Sequence, residues 1–273
     1  MATRKDRDIV AKDTLARTNE VVRSTPGASL DAEFLHDKDV APLSRDACPG
    51  HPKARVRVVN SDSFTLARAL LKELPGARVS VLNLASDEVP GGGWVYTLSR
   101  TQEEALCYSS TLYATLREQW YPWDNAAVAG VFSPGVVVFK DDLDHACVDL
   151  PQEERVVVSV LTIAAPRGPP LKENDTKFAR EQDVENIRAK TRLALRMSVS
   201  HGCDVVVLGA MGCGAYGCPP GQVSEEMRRV LLEDEFRGWF KLVTFAVYSK
   251  KDPRFVGGQN FDVFSKTFAG VEV

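Results

Sequence analysis

The sequence predicts an α/β fold: a mixed, mostly parallel sheet covered by helices on both faces, with an N-terminal helical extension. Three observations carry this. β-rich apolar runs alternate with helical patterns between residues 55 and 249. Most of those runs are apolar throughout, not at every second position, which is the pattern of strands buried on both faces. The first 52 residues stand outside the alternation, with a charged helical stretch followed by a proline-rich one.

Taken in order, residues 1–25 read as a charged helix in which Ile9, Val10 and Leu15 give a weak apolar stripe. Residues 26–52 hold Pro26, Gly27, Pro42, Pro49, Gly50 and Pro52, the composition of an irregular connection. Residues 55–60 are a short β-branched run. Residues 63–74 are helical, with Phe64, Leu66, Ala67, Leu70 and Leu71 on the inner face. A strand over 78–85 ends in a loop, 86–100, that contains three consecutive glycines. Residues 101–117 are predicted as one helix, with Thr101 as N-cap and Glu104 three residues later in a capping-box pattern. Ala105, Leu106, Leu112 and Leu116 continue it at roughly helical spacing.

Residues 135–140 and 155–164 are β-rich, the second nearly all apolar and so expected at the centre of the sheet. Residues 166–177 form a polar loop, 183–200 a helix, and 204–210 a buried strand. A second glycine-rich loop spans 211–221, followed by a helix over 222–233 and a last strand over 241–249. Phe261, Phe264 and Phe268 lie in the tail. No repeat, charge block or low-complexity linker marks a boundary. One domain over residues 1–273 is expected, with residues 1–52 as its helical and irregular extension.

The 44% hydrophobic and 26% charged residues suit a globular core. A net charge of −3 argues against holding nucleic acid by a general basic field, so no direct nucleic-acid partner is expected. No stretch reaches the roughly 20 apolar residues of a membrane span, and no membrane partner is expected. Met1–Asp6 lacks the apolar core of a secretory signal. The six cysteines form no CxxC pair. Together these features predict an intracellular protein, cytoplasmic or nuclear.

Several chemistries do not fit the residue spacing. A zinc site would collect His201, Cys203, Cys213 and Cys218, but their spacings match no usual ligand pattern and Cys203 opens a strand. Gly212-Cys213-Gly214-Ala215-Tyr216-Gly217 is a literal GxGxxG, which invites a dinucleotide fold. The next strand ends Ala246-Val247-Tyr248-Ser249 without the acid that would hold ribose hydroxyls, and Pro219-Pro220 crowds the helix start. There is no GxSxG and no phosphate-loop lysine. His36, His51, His145 and His201 lie in no triad or metal spacing.

Two loops remain, each leaving a strand end and running into a helix. The first is Val89-Pro90-Gly91-Gly92-Gly93-Trp94, followed by Gln102-Glu103-Glu104. The second is Gly209-Ala210-Met211-Gly212-Cys213-Gly214-Ala215-Tyr216-Gly217. Glycines let a ligand approach the backbone amides, and helix N-termini add donors, so both loops are candidate phosphate cradles. Adjacent carboxylates at a helix start also suit the helix dipole without any chemistry. The functional alternative is a carboxyl group that protonates a leaving oxygen or activates water beside a bound sugar phosphate. Neighbouring helical residues point about 100° apart, so one glutamate would do acid–base work and the other orient the sugar.

These residues resemble the microbial type of poly(ADP-ribose) glycohydrolase, whose signature is a triple glycine followed within a few residues by Gln-Glu-Glu. The resemblance takes in residues 81–86, Gly91-Gly92-Gly93, Gln102-Glu103-Glu104 and residues 208–216. Residues 58–62 resemble the macrodomain segment whose aspartate meets adenine, and residues 9–15 are similar to the family's opening helix. The resemblance implies a macrodomain-like three-layer α/β/α fold that binds ADP-ribose at strand ends. Glu104 would be the catalytic acid, and Glu103 its neighbour positioning the ribose. Asn83, Gly91, Gly92, Gly93 and Gln102 would surround the scissile ribose. Gly212, Cys213, Gly214, Ala215 and Tyr216 would hold the diphosphate and adjoining ribose, with Asp62 at the adenine and Phe261 packing against it.

The resemblance implies hydrolysis of ribose–ribose O-glycosidic bonds in poly(ADP-ribose), with no metal or organic cofactor. The partners implied are ADP-ribose and its polymer, free or on ADP-ribosylated proteins, and the chain is expected to be a monomer. Two alternatives remain: hydrolysis of another ADP-ribose derivative, and a macrodomain that binds ADP-ribose without cleaving it. Two positions depart from the family. Leu98-Ser99-Arg100-Thr101 stands where a Gly-Ala pair is usual, and Ser86 stands where many macrodomains place an asparagine. If Ser99 and Arg100 replace that pair, Arg100 is expected to project toward the cleft mouth and narrow it.

Overall fold

The computed structural model describes residues 3–250 and 257–273, so the first two residues of the expected N-terminal helix lie outside the described residues. Helix α1 (Arg4–Ser24) begins in a capping box between Thr3 and Asp6. The proline-rich connection that follows contains a strand the composition concealed, β1 (Glu33–His36). Then come β2 (Arg57–Val59), α2 (Ser63–Glu73), β3 (Val79–Leu84), α3 (Trp94–Thr97) and α4 (Gln102–Ser109). The chain continues through β4 (Ala129–Val138), β5 (Val156–Ile163) and a small hairpin, β6 (Leu171–Lys172) and β7 (Lys177–Phe178). It closes with α5 (Glu181–Ser200), β8 (Val205–Leu208), α6 (Pro220–Leu231), β9 (Leu242–Ala246) and α7 (Asn260–Thr267).

Seven strands form one sheet in the order β1-β4-β5-β3-β8-β9-β2. β5, β3, β8, β9 and β2 are mutually parallel, and β4 joins β5 antiparallel with β1 beyond it. Successive residues point to opposite faces, and both faces are apolar. Val79, Val81, Val158, Val160, Val205 and Val207 meet Phe64, Leu70 and Leu106 of the α2/α4 layer. Leu82, Leu161, Ile163, Val206, Leu208 and Phe245 meet Ile187, Leu195, Val223 and Phe264 of the α5/α6/α7 layer. The predicted α/β/α layering and mixed, mostly parallel sheet are therefore present.

Three local expectations are corrected. The helix predicted over 101–117 stops at Ser109, and Ser110 is extended. Ser110 Oγ takes the Leu106 carbonyl and accepts from Leu112 N, while Thr111 Oγ1 accepts from Val137 N. These hydroxyls offer the backbone partners that a helix would otherwise supply, so the segment turns into a 3₁₀ stretch over Leu112–Thr115. β4 starts six residues before the apolar run at 135–140, because Pro134 sits inside a register shift between Ser133 and Val136 and only interrupts the ladder. β3, not β5, is the middle strand. An apolar run reports burial on both faces, and β5 satisfies that one place away from the centre.

Parallel β5, β3, β8, β9 and β2 all end on the same edge. The loops leaving β3, β5 and β8 bound a cleft of about 350 Å³ there, at strand carboxyl ends as expected of α/β sheets.

Candidate active site

Gln102 fixes α4 to the end of β3. Its Oε1 accepts from Leu84 N at 2.8 Å and its Nε2 donates to Leu82 O at 2.8 Å, with Ser63 Oγ at 3.1 Å. The side-chain amide thus imitates a neighbouring strand, and its stem lines the cleft. The next two residues enter the cleft from a helix whose position is set.

Glu103 is 2% exposed. Its Oε1 accepts from Asn83 Nδ2 at 3.2 Å and its Oε2 from Ser86 N at 2.7 Å. Burial pushes its carboxyl up to about 8, and the neighbouring Glu104 adds to the rise against the hydrogen bonds from Ser86, Asn83 and Gly91. Asn83 itself is fully buried behind Glu103 and does not line the cleft; its Nδ2 also donates to Thr162 Oγ1 at 3.2 Å.

Glu104 turns the other way. Its Oε1 accepts from Ser99 Oγ at 2.8 Å, and its Oε2 accepts from Thr101 Oγ1. The expected capping box is therefore altered: Thr101 is the N-cap but meets the Glu104 side chain in place of a backbone N–H. The triple glycine is explained by what it touches. Gly92 has φ 62°, and a Cβ there would overlap Glu104 Oε1 and stand 3.3 Å from Glu103 Oε2. A Cβ on Gly91 would stand 2.9 Å from Trp94 and Tyr113 ring atoms. Gly93 helps shape the turn without lining the cleft.

The first loop is not the amide cradle that its glycines suggested. Ser86 N bonds Glu103, Asp87 N bonds Tyr216 OH, Glu88 N and Val89 N bond Ser86 Oγ, and Gly92 N bonds Val89 O. The amides of Ser86, Asp87, Glu88, Val89 and Gly92 are thus paired within the protein. The second loop differs. Met211, Cys213, Gly217 and Cys218 close turns on Gly209, Ala210, Gly214 and Gly212. The amides of Gly212, Gly214, Ala215 and Tyr216 have no protein acceptor among the described residues. All four residues line the cleft opposite the glutamates. Unpaired N–H groups facing a cleft are what an anion needs.

Tyr216 ties the two loops together, donating from its OH to Asp87 Oδ1 at 2.6 Å. Cys213 is buried with its side chain in the core, and its carbonyl accepts from Asn260 Nδ2 at 3.0 Å. Asp62 caps α2, accepting from Phe64 N at 2.8 Å and Thr65 N at 3.0 Å. Burial pushes it up to about 6, with Asp142 and Asp141 adding to the rise. Phe261, half-buried on α7, donates its N–H to Ser249 Oγ, and Ser249 is paired through its backbone with Asn60. Asp62 and Phe261 therefore sit at the β2/β9 end of the same sheet edge, beyond the residues that line the cleft.

Arg100 does not narrow the cleft. It is exposed and Ser99 is the residue that lines the wall. The left-handed backbone position in this stretch is Leu98, φ 52°. The hydroxyls of Ser99 and Thr101 on Glu104, and the Asp87–Tyr216 pair, are features that sequence reading missed. Two hydroxyl residues three and five positions before a carboxylate were the available signal.

The family model described as microbial-type PARG, catalytic domain, matches residues 29–141. Poly(ADP-ribose) glycohydrolase from Thermomonospora curvata superposes with a TM-score of 0.79 at 28% identity, covering 96% of this chain and 98% of that one. The same enzyme bound to the inhibitor ADP-HPD gives 0.76 at 28% identity, over 95% and 98%. Poly(ADP-ribose) glycohydrolase from Deinococcus radiodurans in complex with ADP-ribose gives 0.73 at 26% identity, over 93% and 98%. No curated protein matches. The carboxylate pair behind a triple glycine, the matched segment over residues 29–141 and the shared macrodomain-like fold agree, and the chain is similar to the microbial-type poly(ADP-ribose) glycohydrolases.

Proposed function

We propose that this chain hydrolyses ribose–ribose O-glycosidic bonds of poly(ADP-ribose) and releases ADP-ribose. The observation that carries the proposal is one cleft lined by Glu103 and Glu104 on one side and by unpaired amides of the second loop on the other. The ligand runs along the sheet edge in strand order. The scissile ribose lies at β3 against Glu103 and Glu104, and the diphosphate lies at β8 on Gly212, Gly214, Ala215 and Tyr216. Adenine lies toward β9 and β2, near Phe261 and Asp62. Three strand spacings amount to about 14 Å, a reasonable span for an extended dinucleotide-sized ligand.

In the reaction Glu104 carries a proton to the departing ribose oxygen as the glycosidic C–O bond breaks. The bound diphosphate stabilises the oxocarbenium ion left behind. Glu104, now a carboxylate, takes a proton from the water that forms the new C–O bond. Glu103, held neutral near pH 7 by burial, orients the ribose hydroxyls. ADP-ribosylated proteins are the proposed carriers of the polymer. We also propose a monomeric, single-domain protein with an intracellular site of action, cytoplasmic or nuclear. Six unpaired cysteines support that compartment.

Incubation with labelled poly(ADP-ribose), followed by identification of the released species, tests this directly. ADP-ribose as product, lost in Glu104→Gln, supports the reading; binding of ADP-ribose without polymer cleavage overturns it in favour of a reader.

A further inference from the structure

The loop between the triple glycine and α4 brings two hydroxyls to one carboxyl group, with a third behind them. Thr97 Oγ1 lies 3.0 Å from Ser99 Oγ and 3.2 Å from the Gly93 carbonyl. Ser99 Oγ donates to Glu104 Oε1 at 2.8 Å, and Thr101 Oγ1 donates to Oε2. Each oxygen of Glu104 is thus held by a hydroxyl from the five residues before it. Oε1 is also the oxygen nearest the Cβ direction of Gly92, a residue that lines the cleft.

A particular backbone delivers Ser99 to this place. Leu98 adopts φ 52°, ψ 34°, a left-handed conformation disfavoured for a residue with a branched side chain. Two contacts hold it: its N–H bonds Trp94 O at 2.9 Å, and its carbonyl accepts from Arg7 Nε of α1 at 2.7 Å. The turn places Ser99 in the cleft wall and leaves Arg100 exposed. The loop is anchored at Leu98 and Thr97 independently of the Ser99 hydroxyl.

We propose that Ser99 is a positioning residue for Glu104, with Thr101 as the second arm, and that the two hydroxyls fix the plane of the carboxyl group that serves the glycosidic oxygen. The inference rests on the reading of Glu104 as the acid–base group. The physical need is clear from the side chain itself. The terminal torsion of a glutamate is broad and nearly two-fold, so packing of the stem does not define where the two oxygens point. One donor on each oxygen does. A carboxyl oxygen keeps more than one acceptor direction, so Oε1 can hold the Ser99 hydrogen bond and still exchange a proton with substrate. That proton passes from Oε1 to the departing ribose oxygen as the C–O bond breaks. It is replaced from the attacking water as the new C–O bond forms. Ser99 keeps its own proton throughout.

The test compares Ser99→Ala, Ser99→Thr, Thr101→Val and Glu104→Gln on labelled poly(ADP-ribose), with ADP-ribose affinity and melting measured alongside. Ser99→Ala is expected to lower kcat about tenfold, the effect of one hydrogen bond to a charged group, while KM and ADP-ribose affinity stay within about twofold. Thr101→Val, which keeps size and removes the other hydroxyl, should give the same split between kcat and KM. Ser99→Thr, which restores the donor, should recover most of the rate. The proposal is overturned if Ser99→Ala keeps wild-type kcat, if kcat and affinity fall together with melting, or if Ser99→Thr is no better than Ser99→Ala. Should Glu104→Gln turn over normally, the reading of Glu104 itself fails. An inactive Glu104→Gln beside a fully active Ser99→Ala removes only the positioning role.

Discussion

Gly92 and Glu104 compete for one volume: Oε1 of the glutamate occupies the space that a Cβ on residue 92 would fill. The triple glycine is there to admit a carboxylate as much as a ligand. Gly92→Ala should therefore displace the Glu104 carboxyl from its Ser99 and Thr101 partners, and at φ 62° it also strains the backbone. Misplacing a reacting group by about 1 Å costs on the order of 100-fold in rate. Turnover should fall by that much, with ADP-ribose affinity nearly unchanged because the proposed diphosphate position is at residues 212–216. Steady-state kinetics beside calorimetry on this variant measures both.

The second prediction separates the two carboxylates by pH. Glu103 is pushed up to about 8 in the fold against an ordinary value of 4.5. Between those values the native state holds a proton that the unfolded chain has lost, so stability falls as pH rises through about 8. Glu103→Gln carries no titrating proton. Its melting temperature relative to wild type should climb steadily from pH 5 to pH 8 and level off beyond about pH 9. A difference that stays constant across the range would mean that the folded Glu103 ionises like an exposed carboxylate. Glu104→Gln is predicted to act on rate instead, lowering turnover by about 10²–10⁴.

The reach of sequence reading is clearest where these two residues sit. Gln102-Glu103-Glu104 and the glycines were legible because their chemistry is local: a helix start, a tight turn, a pair of carboxyls. Which glutamate faces Asn83 and which faces Ser99 was not, because it depends on how α4 is docked on β3 through the Gln102 amide. The alternation of strands and helices was legible from burial on both faces. β1 was hidden because an edge strand paired on one side only, Glu33–His36 against Ala129–Phe132, needs no apolar run. The end of α4 was hidden because three consecutive hydroxyl residues, Ser109, Ser110 and Thr111, settle a competition that apolar spacing does not register.

A third prediction uses two glycines of the second loop. Gly214 has ordinary backbone geometry and open space where a Cβ would go, whereas Gly212 has φ 73° and would press a Cβ to 2.6 Å from Ala165 and Cys218. Gly214→Ala should melt within about 2 °C of wild type yet bind ADP-ribose at least about tenfold more weakly, because it adds a methyl to a cleft-lining residue among the unpaired amides. Gly212→Ala should lose stability first. Thermal melts and ADP-ribose titrations on the pair distinguish ligand contact from folding.

The fourth concerns salt. Among the described residues that line the cleft there is no lysine or arginine, so backbone amides are the donors at the proposed diphosphate position. ADP-ribose affinity should therefore change by less than about threefold between 50 and 200 mM salt. A steep decline on isothermal titration would point to an arginine or lysine at the phosphates.

Arg7 and Leu98 are 91 residues apart in sequence and 2.7 Å apart at their hydrogen bond. A few turns further along α1, Thr14 donates to the carbonyl of Tyr108 in α4. The opening helix is thus a splint laid across both ends of the segment that carries the carboxylates. The family segment begins at residue 29, after that splint. A fragment cut to that boundary would inherit the glycines and both glutamates and leave behind the guanidinium that keeps Leu98 in its left-handed turn. The same holds for an affinity tag that unwinds the first turn of α1: it would reach the cleft wall without touching any residue that meets substrate.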